Sequence, residues 1–272
     1  MKTLWTISRT IFATLIFLVI ACAPTTYERQ SASRGQLDEA SKDINSSAIV
    51  FSKSVSPVDA LTRIDLITQK LSKAAEQVCF EVGEDDCWWV LRYSDDPALN
   101  AAAINDGTIM IQRGVIEYAQ SDDEIAMVIA HEFGHHIANH LEETAFRMGV
   151  STLVMAGAYA GIAASGASAN PYYESNIYNA TIAGSQLGGK VGRVIFSPQQ
   201  ELEADYLSAI ILSRSGYDTR KARAIIVTLS QLGSSPSAGF WSTHPGGVER
   251  LALWDQLSMQ LKAKPDLKPQ RQ

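Results

Sequence analysis

The chain has 272 residues, of which 46% are hydrophobic, and this is enough for one sizeable core without requiring a second domain. Its formal net charge is −6 and no basic stripe occurs, so we expect no nucleic-acid partner. The acidic residues are spread along the chain, which is typical of a solvated surface.

The N-terminal 21 residues have the pattern of a secretory signal peptide. Lys2 and Arg9 are followed by a short apolar run and small residues. The run is short for a membrane-spanning helix, which needs about 20 apolar residues, and an uncleaved anchor helix is the alternative. The residues before Cys22 resemble a bacterial lipobox, which implies cleavage there and lipidation of Cys22. In such lipoproteins an aspartate at the next position implies retention in the inner membrane, so Ala23 favours the outer membrane.

Two other cysteines remain, Cys79 and Cys87. An even pair at short spacing in an exported chain predicts a local disulfide, with two free thiols as the alternative. Trp88 and Trp89 follow directly, which suggests that the bridge holds a turn against the core.

The predicted elements give one folded domain at residues 58–262, after an N-terminal segment with a polar tether (22–57) and before a frayed tail (263–272). Apolar residues at three- and four-residue steps predict an amphipathic helix after Pro57. The next elements are a strand, a hairpin around an Asp-Gly turn and a short helix, predicted at 88–93, 99–111 and 113–118.

A long helix is predicted to begin at Ser121 and to run to about Met148. Ser121 with Glu124 three positions later fits a capping box, and the acidic residues between them suit the positive end of the helix dipole. A stretch rich in Gly, Ala, Ser and Tyr follows at 149–192. Because it is longer than an ordinary connection, we expect it to form a cover over a cleft. Three further helices are predicted, at 197–216, 219–232 and 248–262.

The predicted long helix contains an H-E-x-x-H sequence that begins at His131 and ends at His135. Residues four apart lie about 40° apart around a helix axis, so both imidazoles can reach one Zn²⁺ at about 2.0–2.1 Å. Glu132 lies on the neighbouring flank, where it can accept a proton from a metal-activated water. The flanks are apolar and predict burial, which is costly for imidazoles without a partner. The alternative is a chance match to the pattern.

A third ligand is needed, and two sequence patterns compete to supply it. The metzincin pattern would place a histidine ten positions after the first, but Leu141 stands there. The gluzincin arrangement takes a glutamate from a second helix, and Glu201 and Asp205 share a face of such a helix. Glu201 would bind the metal, and Asp205 would accept the second N–H of a ligating histidine.

Three other polar residues near these sequences are given no metal role. His136 and His140 lie off the ligand face or too far along the predicted helix, so we interpret them as ordinary polar positions. Glu203 is expected to point away from the site.

Together these residues resemble the HtpX-like zinc metallopeptidases, which are gluzincins, over about Asn100 to Arg250. The landmarks are Asn100-Ala101-Ala102-Ala103 with Gly107, Arg113-Gly114, the H-E-x-x-H helix, Glu201-x-x-Ala-Asp205, and His244-Pro245 with Arg250. With its lipobox, the chain looks in particular like the periplasmic lipoprotein members of the LoiP/BepA type. The resemblance implies an α+β, mainly α-helical, zincin-like fold with a small β-sheet and an edge-strand hairpin over the active-site helix.

The resemblance also implies roles for individual residues. One zinc per chain would be held by His131, His135 and Glu201, with Glu132 as the general base. Asp205 matches a proton donor of the family, although we favour a role in orienting a histidine.

Two residues near the C-terminus, His244 and Arg250, match family residues close to the cleft. His244 could donate a hydrogen bond to the tetrahedral oxyanion or bind the metal in a resting state, and a histidine that merely begins a helix is the alternative. Residues Asn100 to Ala103 match an edge strand along which extended peptide substrates bind by backbone pairing.

The predicted function is hydrolysis of peptide bonds in misfolded or misassembled periplasmic and outer-membrane proteins, by an exported, lipid-anchored zinc endopeptidase of the bacterial cell envelope. Expected partners are protein or peptide substrates, the membrane through the N-terminal lipid, and envelope assembly factors. The alternative is a zinc-stabilised, chaperone-like binding protein for outer-membrane clients. Glu132 discriminates between the two, because a binder has no need of a carboxylate beside an open metal site.

Overall fold

The computed structural model describes residues 27, 31–48, 50–104, 107–147, 196–232, 244 and 247–270. The chain divides into a small unit of Met1–Arg29 with Gln270–Gln272, of which only Tyr27 and Gln270 are described, and a main unit of Gln30–Pro269. The predicted signal peptide, Cys22 and the predicted cover at 149–192 lie outside the described residues. Within the described ranges, no helix is both long enough and apolar enough to cross a membrane.

The main unit is mostly helical and contains one small sheet. Its helices are α1 (Arg34–Ser46), α2 (Pro57–Glu81), α3 (Arg113–Tyr118), α4 (Asp122–Ile137), α5 (Pro198–Arg214), α6 (Thr219–Leu232) and α7 (Val248–Ala263). Its strands are β1 (Val90–Ser94), β2 (Ala101–Ile104) and β3 (Thr108–Gln112). The predicted α+β, mainly α-helical architecture is confirmed.

Several helix starts in this chain are set by serine side chains. Four helices begin after a serine whose hydroxyl accepts a hydrogen bond from the backbone N–H three residues later: Ser33, Ser56, Ser121 and Ser197. At Ser197 the reciprocal bond is also present, donated by the backbone N–H of Ser197 to the Gln200 side chain, and this completes a capping box. At Ser121 the reciprocal bond is displaced by one residue, because Glu124 accepts from the backbone N–H of Gln120 at 3.2 Å.

The sheet has the strand order β1-β3-β2, which leaves β2 at an edge. β1 runs parallel to β3, and β2 runs antiparallel to β3 with Ala103 opposite Ile109. Ala101 and Ala103 are buried, and β2 packs against α4. The predicted edge strand therefore lies beside the helix that carries the H-E-x-x-H sequence.

The predicted single helix from Ser121 to about Met148 is wrong, because the helix is broken in two. α4 ends at Ile137, and helical structure resumes at 140–147. Asn139 has a φ of 56°, in the left-handed region that ends a helix, and its backbone N–H bonds to the carbonyl of His136. Asparagine is the non-glycine residue that most readily takes this conformation at a helix end. The chain therefore changes direction just after the second motif histidine.

α4 and α5 pack closely, and Gly134 permits their approach. A Cβ atom built on Gly134 would lie 2.7 Å from the backbone oxygen of Ala204. The small residues at this crossing bring the face of α5 that carries Glu201 and Asp205 against the face of α4 that carries the motif histidines. The closeness of the two helices thus follows from residues inside the two sequence motifs.

A disulfide joins Cys79, near the end of α2, to Cys87, shortly before β1. Trp89 follows it and lies with its ring centroid 4.9 Å from that of Phe133 on α4. Trp88, by contrast, is 55% exposed. The bridge therefore fixes the turn that leads into the sheet, and one of the two tryptophans contacts the core.

Candidate metal centre

The site is assembled from α4, α5, residue 244 and α7. His131, Glu132 and His135 of α4 have no exposed surface, and neither has Glu201 of α5. His244 is 1% exposed. Such burial of imidazoles and carboxylates is costly unless they pair with one another or bind a metal.

Four side chains converge with their ligand atoms within 4.8 Å of one another: His131, His135, Glu201 and His244. His131 Nε2 lies 3.1 Å from His135 Nε2 and 3.3 Å from His244 Nδ1. The Glu201 carboxylate oxygens lie 3.3 Å from His131 Nε2, 3.4 Å from His135 Nε2 and 2.9 Å from His244 Nδ1. Around a tetrahedral zinc with bonds of about 2.0–2.1 Å, the ligand atoms are about 3.3–3.4 Å apart. The donor types and their spacing therefore fit zinc.

The pKa shifts of two of these residues agree with a ligand role. Burial is the main cause that lowers the pKa of His135 well below its ordinary value, so its imidazole is neutral. Burial acts to raise the pKa of Glu201, but His244 and Arg250 outweigh it and hold that pKa well below the ordinary range. A neutral imidazole and an ionised carboxylate are the forms that bind a metal.

Glu132 lies between the edge strand and the ligand cluster. Its Oε2 accepts a hydrogen bond of 2.6 Å from the backbone N–H of Ala103 on β2. Its Oε1 is buried, forms no hydrogen bond with the described residues, and lies 3.7 Å from His244 Nε2. One carboxylate oxygen is thus fixed by the strand and the other faces the site, as a general base requires.

Asp205 contacts His131 and is itself held by Arg250. Asp205 Oδ1 lies 2.9 Å from His131 Nδ1, while Arg250 Nε and Nη2 donate to Asp205 at 2.7 and 2.8 Å. Burial acts to raise the pKa of Asp205, but Arg250 and His131 hold it below its ordinary value. An ionised Asp205 suits the orienting role better than that of a proton donor.

Arg250 is 2% exposed, and its Nη1 also lies 2.8 Å from Glu201 Oε2. The resemblance places it near the cleft, and its described contacts are with Glu201 of the ligand cluster and with Asp205. Its place is therefore that of a residue that positions Glu201 and Asp205.

His244 lies in the ligand cluster itself. Its Nδ1 is the atom near Glu201 and His131, and its Nε2 faces Glu132. This placement agrees with the predicted resting-state ligand. It disagrees with the alternative of a histidine that merely begins a helix, because an imidazole in that role would not converge with three other ligand atoms.

The interpretation of His140 as an ordinary polar position is wrong. Its side chain is buried, its Nδ1 lies 3.0 Å from His135 Nδ1, and its Nε2 lies 3.2 Å from Glu203 Oε2. Glu203, expected to point away, is 6% exposed and closes this chain of contacts. Both errors follow from the unpredicted break at Asn139, which returns His140 toward His135. The asparagine after the last apolar position was the one available signal.

Two further neighbours were not fully foreseen. The Phe196 ring stacks on His135 with centroids 3.7 Å apart, and sequence reasoning gave Phe196 no role. His136 Nε2 lies 3.1 Å from the carbonyl oxygen of Thr108, so it joins α4 to β3 and is not part of the ligand cluster.

The predicted edge-strand residues pair with β3 through their backbones. The backbone oxygen of Asn100 accepts a hydrogen bond from the backbone N–H of Gln112 at 3.0 Å, and Ala102 pairs with Met110.

Comparison with known proteins agrees with this geometry. The model described as Peptidase family M48 matches residues 63–257. The chain is 29% identical over 175 residues to the mitochondrial metalloendopeptidase OMA1 of Arabidopsis thaliana, covering 64% of this chain and 33% of that protein. It is 26% identical over 197 residues to OMA1 of Schizosaccharomyces pombe, covering 68% and 51%. It is 28% identical over 168 residues to the beta-barrel assembly-enhancing protease of Escherichia coli, covering 57% and 31%. The matched part of the chain thus spans about a third to a half of each relative.

Proposed function

Because the chain belongs to peptidase family M48 and is a metalloprotease, we propose that it is a zinc-dependent endopeptidase of the bacterial cell envelope. Its substrates would be misfolded or misassembled periplasmic and outer-membrane proteins. The observation that carries the proposal is the buried cluster of His131, His135, Glu201 and His244 with Glu132 beside it.

One zinc per chain is proposed to be held by His131, His135 and Glu201. When bound, zinc would act as a Lewis acid that polarises the scissile carbonyl, and it would lower the pKa of a bound water toward about 7. His244 would contribute the fourth ligand in the resting state, which its 2.9 Å approach to Glu201 supports. With substrate present, the same imidazole could instead donate to the oxyanion through a hydrogen bond.

Glu132 is proposed as the general base. Its Oε2 is held by the backbone N–H of Ala103, so the oxygen without a hydrogen-bond partner among the described residues, Oε1, is the one that accepts a proton from the attacking water. The same carboxylic acid can then deliver the proton to the leaving amine. Asp205 and Arg250 keep His131 and Glu201 in position during these transfers.

The position of β2 supports a preference for unfolded substrates. β2 is an edge strand of the sheet, and its residue Ala103 touches Glu132. A peptide that adds to this edge pairs through its backbone, which gives affinity with little sequence preference. Only an extended, unpaired segment can bind in this way, so folded proteins would be spared.

The proposed location rests on the sequence pattern around Cys22. Lipidation of Cys22 would anchor the chain to the membrane, and Ala23 favours the outer membrane. The E. coli relative is named for β-barrel assembly, which supports a role near outer-membrane proteins and their assembly partners, whereas the OMA1 relatives are named as mitochondrial. Mass spectrometry of the mature chain tests the anchor: an unprocessed N-terminal methionine would contradict it.

Glu132→Gln tests the proposed chemistry. We expect the variant to fold and to bind zinc as the parent does, but to hydrolyse an unfolded protein such as casein at least about 100-fold more slowly, because the base is lost. Glu142→Gln is the matched control, since Glu142 is exposed on the segment just after α4. Normal hydrolysis by Glu132→Gln would remove Glu132 from the mechanism. Absence of hydrolysis by the parent, with retained binding of unfolded clients, would favour the chaperone-like alternative.

A further inference from the structure

The two motif histidines are supported in different ways on the side away from the ligand cluster. His131 Nδ1 meets a carboxylate directly, that of Asp205, at 2.9 Å. His135 Nδ1 meets a third imidazole, that of His140, at 3.0 Å, and the carboxylate of Glu203 comes only after it. We infer that His140 and Glu203 form a positioning relay that holds His135 in its metal-binding orientation, which rests on the proposed role of His135 as a zinc ligand.

The relay exists because the helix is broken at Asn139. In an uninterrupted helix, residue 140 would lie about 140° around the axis from residue 135, and the two rings could not meet edge to edge. With Asn139 at a φ of 56°, the helix is interrupted and the ring of His140 lies beside that of His135, with ring centroids 5.0 Å apart. The left-handed conformation is unfavourable for most non-glycine residues, but asparagine adopts it routinely, so Asn139 suits a break that brings His140 to His135.

The positions of the protons determine the direction in which the hydrogen bonds of the relay are donated. When His135 binds a metal through Nε2, its Nδ1 carries the proton and donates it to His140 Nδ1. His140 then has its own proton on Nε2, and it donates this to Glu203 Oε2 at 3.2 Å. Each of the three groups thus has one consistent role, and the ring of His135 is held in one tautomer and one orientation.

Burial and outer contacts keep the relay in place. His140 is 1% exposed, and Glu203 has its second oxygen, Oε1, bonded by Gln199 Nε2 at 2.8 Å. Phe196 covers the other face of His135, with an interplanar angle of 23°. His135 is therefore fixed by a stacked ring as well as by the relay. Glu203 is proposed here as the terminal acceptor of a positioning chain and not as a metal ligand.

The test measures zinc affinity in the full chain by competition with a chelator, alongside unfolding of the metal-free protein. His140→Leu keeps a similar volume but removes the acceptor, and we expect a loss of zinc affinity of roughly 10- to 100-fold. His140→Asn places an amide oxygen near the position of Nδ1, so it should restore most of the affinity. Glu203→Leu removes the last acceptor without touching His135, and it should also weaken zinc binding. Glu142→Gln, on the exposed surface, should have no effect.

Three results would overturn the relay: zinc affinity of His140→Leu or Glu203→Leu within about twofold of the parent, or an Asn variant as weak as the Leu variant. The last result would mean that His140 acts through packing and not through a hydrogen bond. His135→Ala in parallel separates this inference from the proposed function. If His135→Ala keeps its zinc, the ligand assignment itself is wrong; if it loses zinc while both relay variants keep it, only the relay is wrong.

Discussion

Arg250 carries a positive charge although its side chain is buried, and two neighbouring carboxylates stabilise that charge. It is 2% exposed and contacts both Asp205 and Glu201. Burial acts to lower its pKa, but these carboxylates raise it, so the guanidinium remains charged. Removal of one partner from such a buried set leaves the others uncompensated.

We therefore predict that Arg250→Met destabilises the metal-free protein by about 3–5 kcal/mol. Arg223 is the matched control, because it also pairs with two carboxylates, Asp43 and Asp255, but all three side chains are partly exposed. Arg223→Met should cost about 1 kcal/mol or less. Urea unfolding of both variants measures the difference. Equal losses would show that the buried cluster is no more dependent on its cation than a surface network is.

Zinc binding should also depend on pH through His131. Burial and Arg250 act to lower its pKa, but hydrogen bonds to Asp205 and Glu201 raise it to about 9 in the metal-free protein. Below that pH, zinc must displace a proton from His131, so apparent zinc affinity should rise about tenfold per pH unit up to about pH 9. With ordinary histidines the rise would end near pH 7. Chelator-buffered titrations measure the slope, and a flat profile above pH 7.5 would contradict the prediction.

The same raised pKa has the opposite effect on the stability of the metal-free protein. A group with a raised pKa in the folded state stabilises the fold fully below its unfolded pKa, and this contribution is lost as the pH rises through the folded value. The contribution of His131 is thus present below about pH 6.5 and lost toward about pH 9.

The grouping of site residues was predictable from the sequence where spacing within one helix determined the direction of the side chains. His131 and His135 share a helix face, and so do Glu201 and Asp205, and the structure brings these four side chains together. His140, Glu203 and Phe196 were missed or misinterpreted because their contacts in and around His135 depend on the helix break at Asn139 and on the approach of distant parts of the chain. Periodicity carries no information about either.

At the level of elements, helix starts were predicted well from the sequence. The predicted cap Ser121 precedes α4, and the helices predicted after Pro57 and at 197–216 also begin where expected, after Ser56 and Ser197. Helix ends were less predictable, because the left-handed conformation at Asn139 depends on what the following residues contact as well as on local preference. The helix predicted from Ser121 to about Met148 ends early, at Ile137, and this early end creates the relay.

The crossing of α4 and α5 gives a prediction at this scale. Gly134→Ala would place a Cβ 2.7 Å from the backbone oxygen of Ala204, which cannot move without shifting α5. We expect a loss of about 1–3 kcal/mol in stability together with weaker zinc binding, because Glu201 would be displaced from the motif histidines. Gly35 of α1 has no atom within 4 Å of the same test position, so Gly35→Ala should be neutral or stabilising. Calorimetry measures the stability of both variants, and zinc titration measures their affinity for the metal. Equal stability and equal zinc affinity in the two variants would show that the close approach of α4 and α5 at Gly134 is not needed.

On the scale of the whole molecule, the site draws its parts from distant regions of the sequence. Ala103 on β2 contacts Glu132 on α4, and Glu201 on α5 contacts both His131 on α4 and Arg250 on α7 within the main unit. Such a centre forms only when the sheet edge and three helices are already packed. Local sequence patterns could therefore predict most residues of the centre, whereas the distances between those residues depend on the complete fold.

The segment 149–192 lies outside the described residues, but the described residues on either side of it lie close to the site. Helical residues 140–147 begin with His140, which contacts His135, and Phe196 stacks on the same imidazole after the segment ends. A connection of this length between two helices that carry residues of a proposed active site is usually a lid or a binding segment. Its glycines and tyrosines suit a cover that packs reversibly over an apolar cleft.

We therefore predict that shortening 149–192, with residues 140–147 and Phe196 retained, increases the cleavage of unfolded substrates and relaxes selectivity, because access to the centre is no longer restricted. Casein hydrolysis measures the rate, and the ratio of cleavage between unfolded and folded client proteins measures the selectivity. Zinc content and the unfolding midpoint serve as controls, since a deletion that disturbs Phe196 would release His135 and lower both. A shortened protein that folds, binds zinc and cuts neither faster nor less selectively than the parent would show that the segment is no lid.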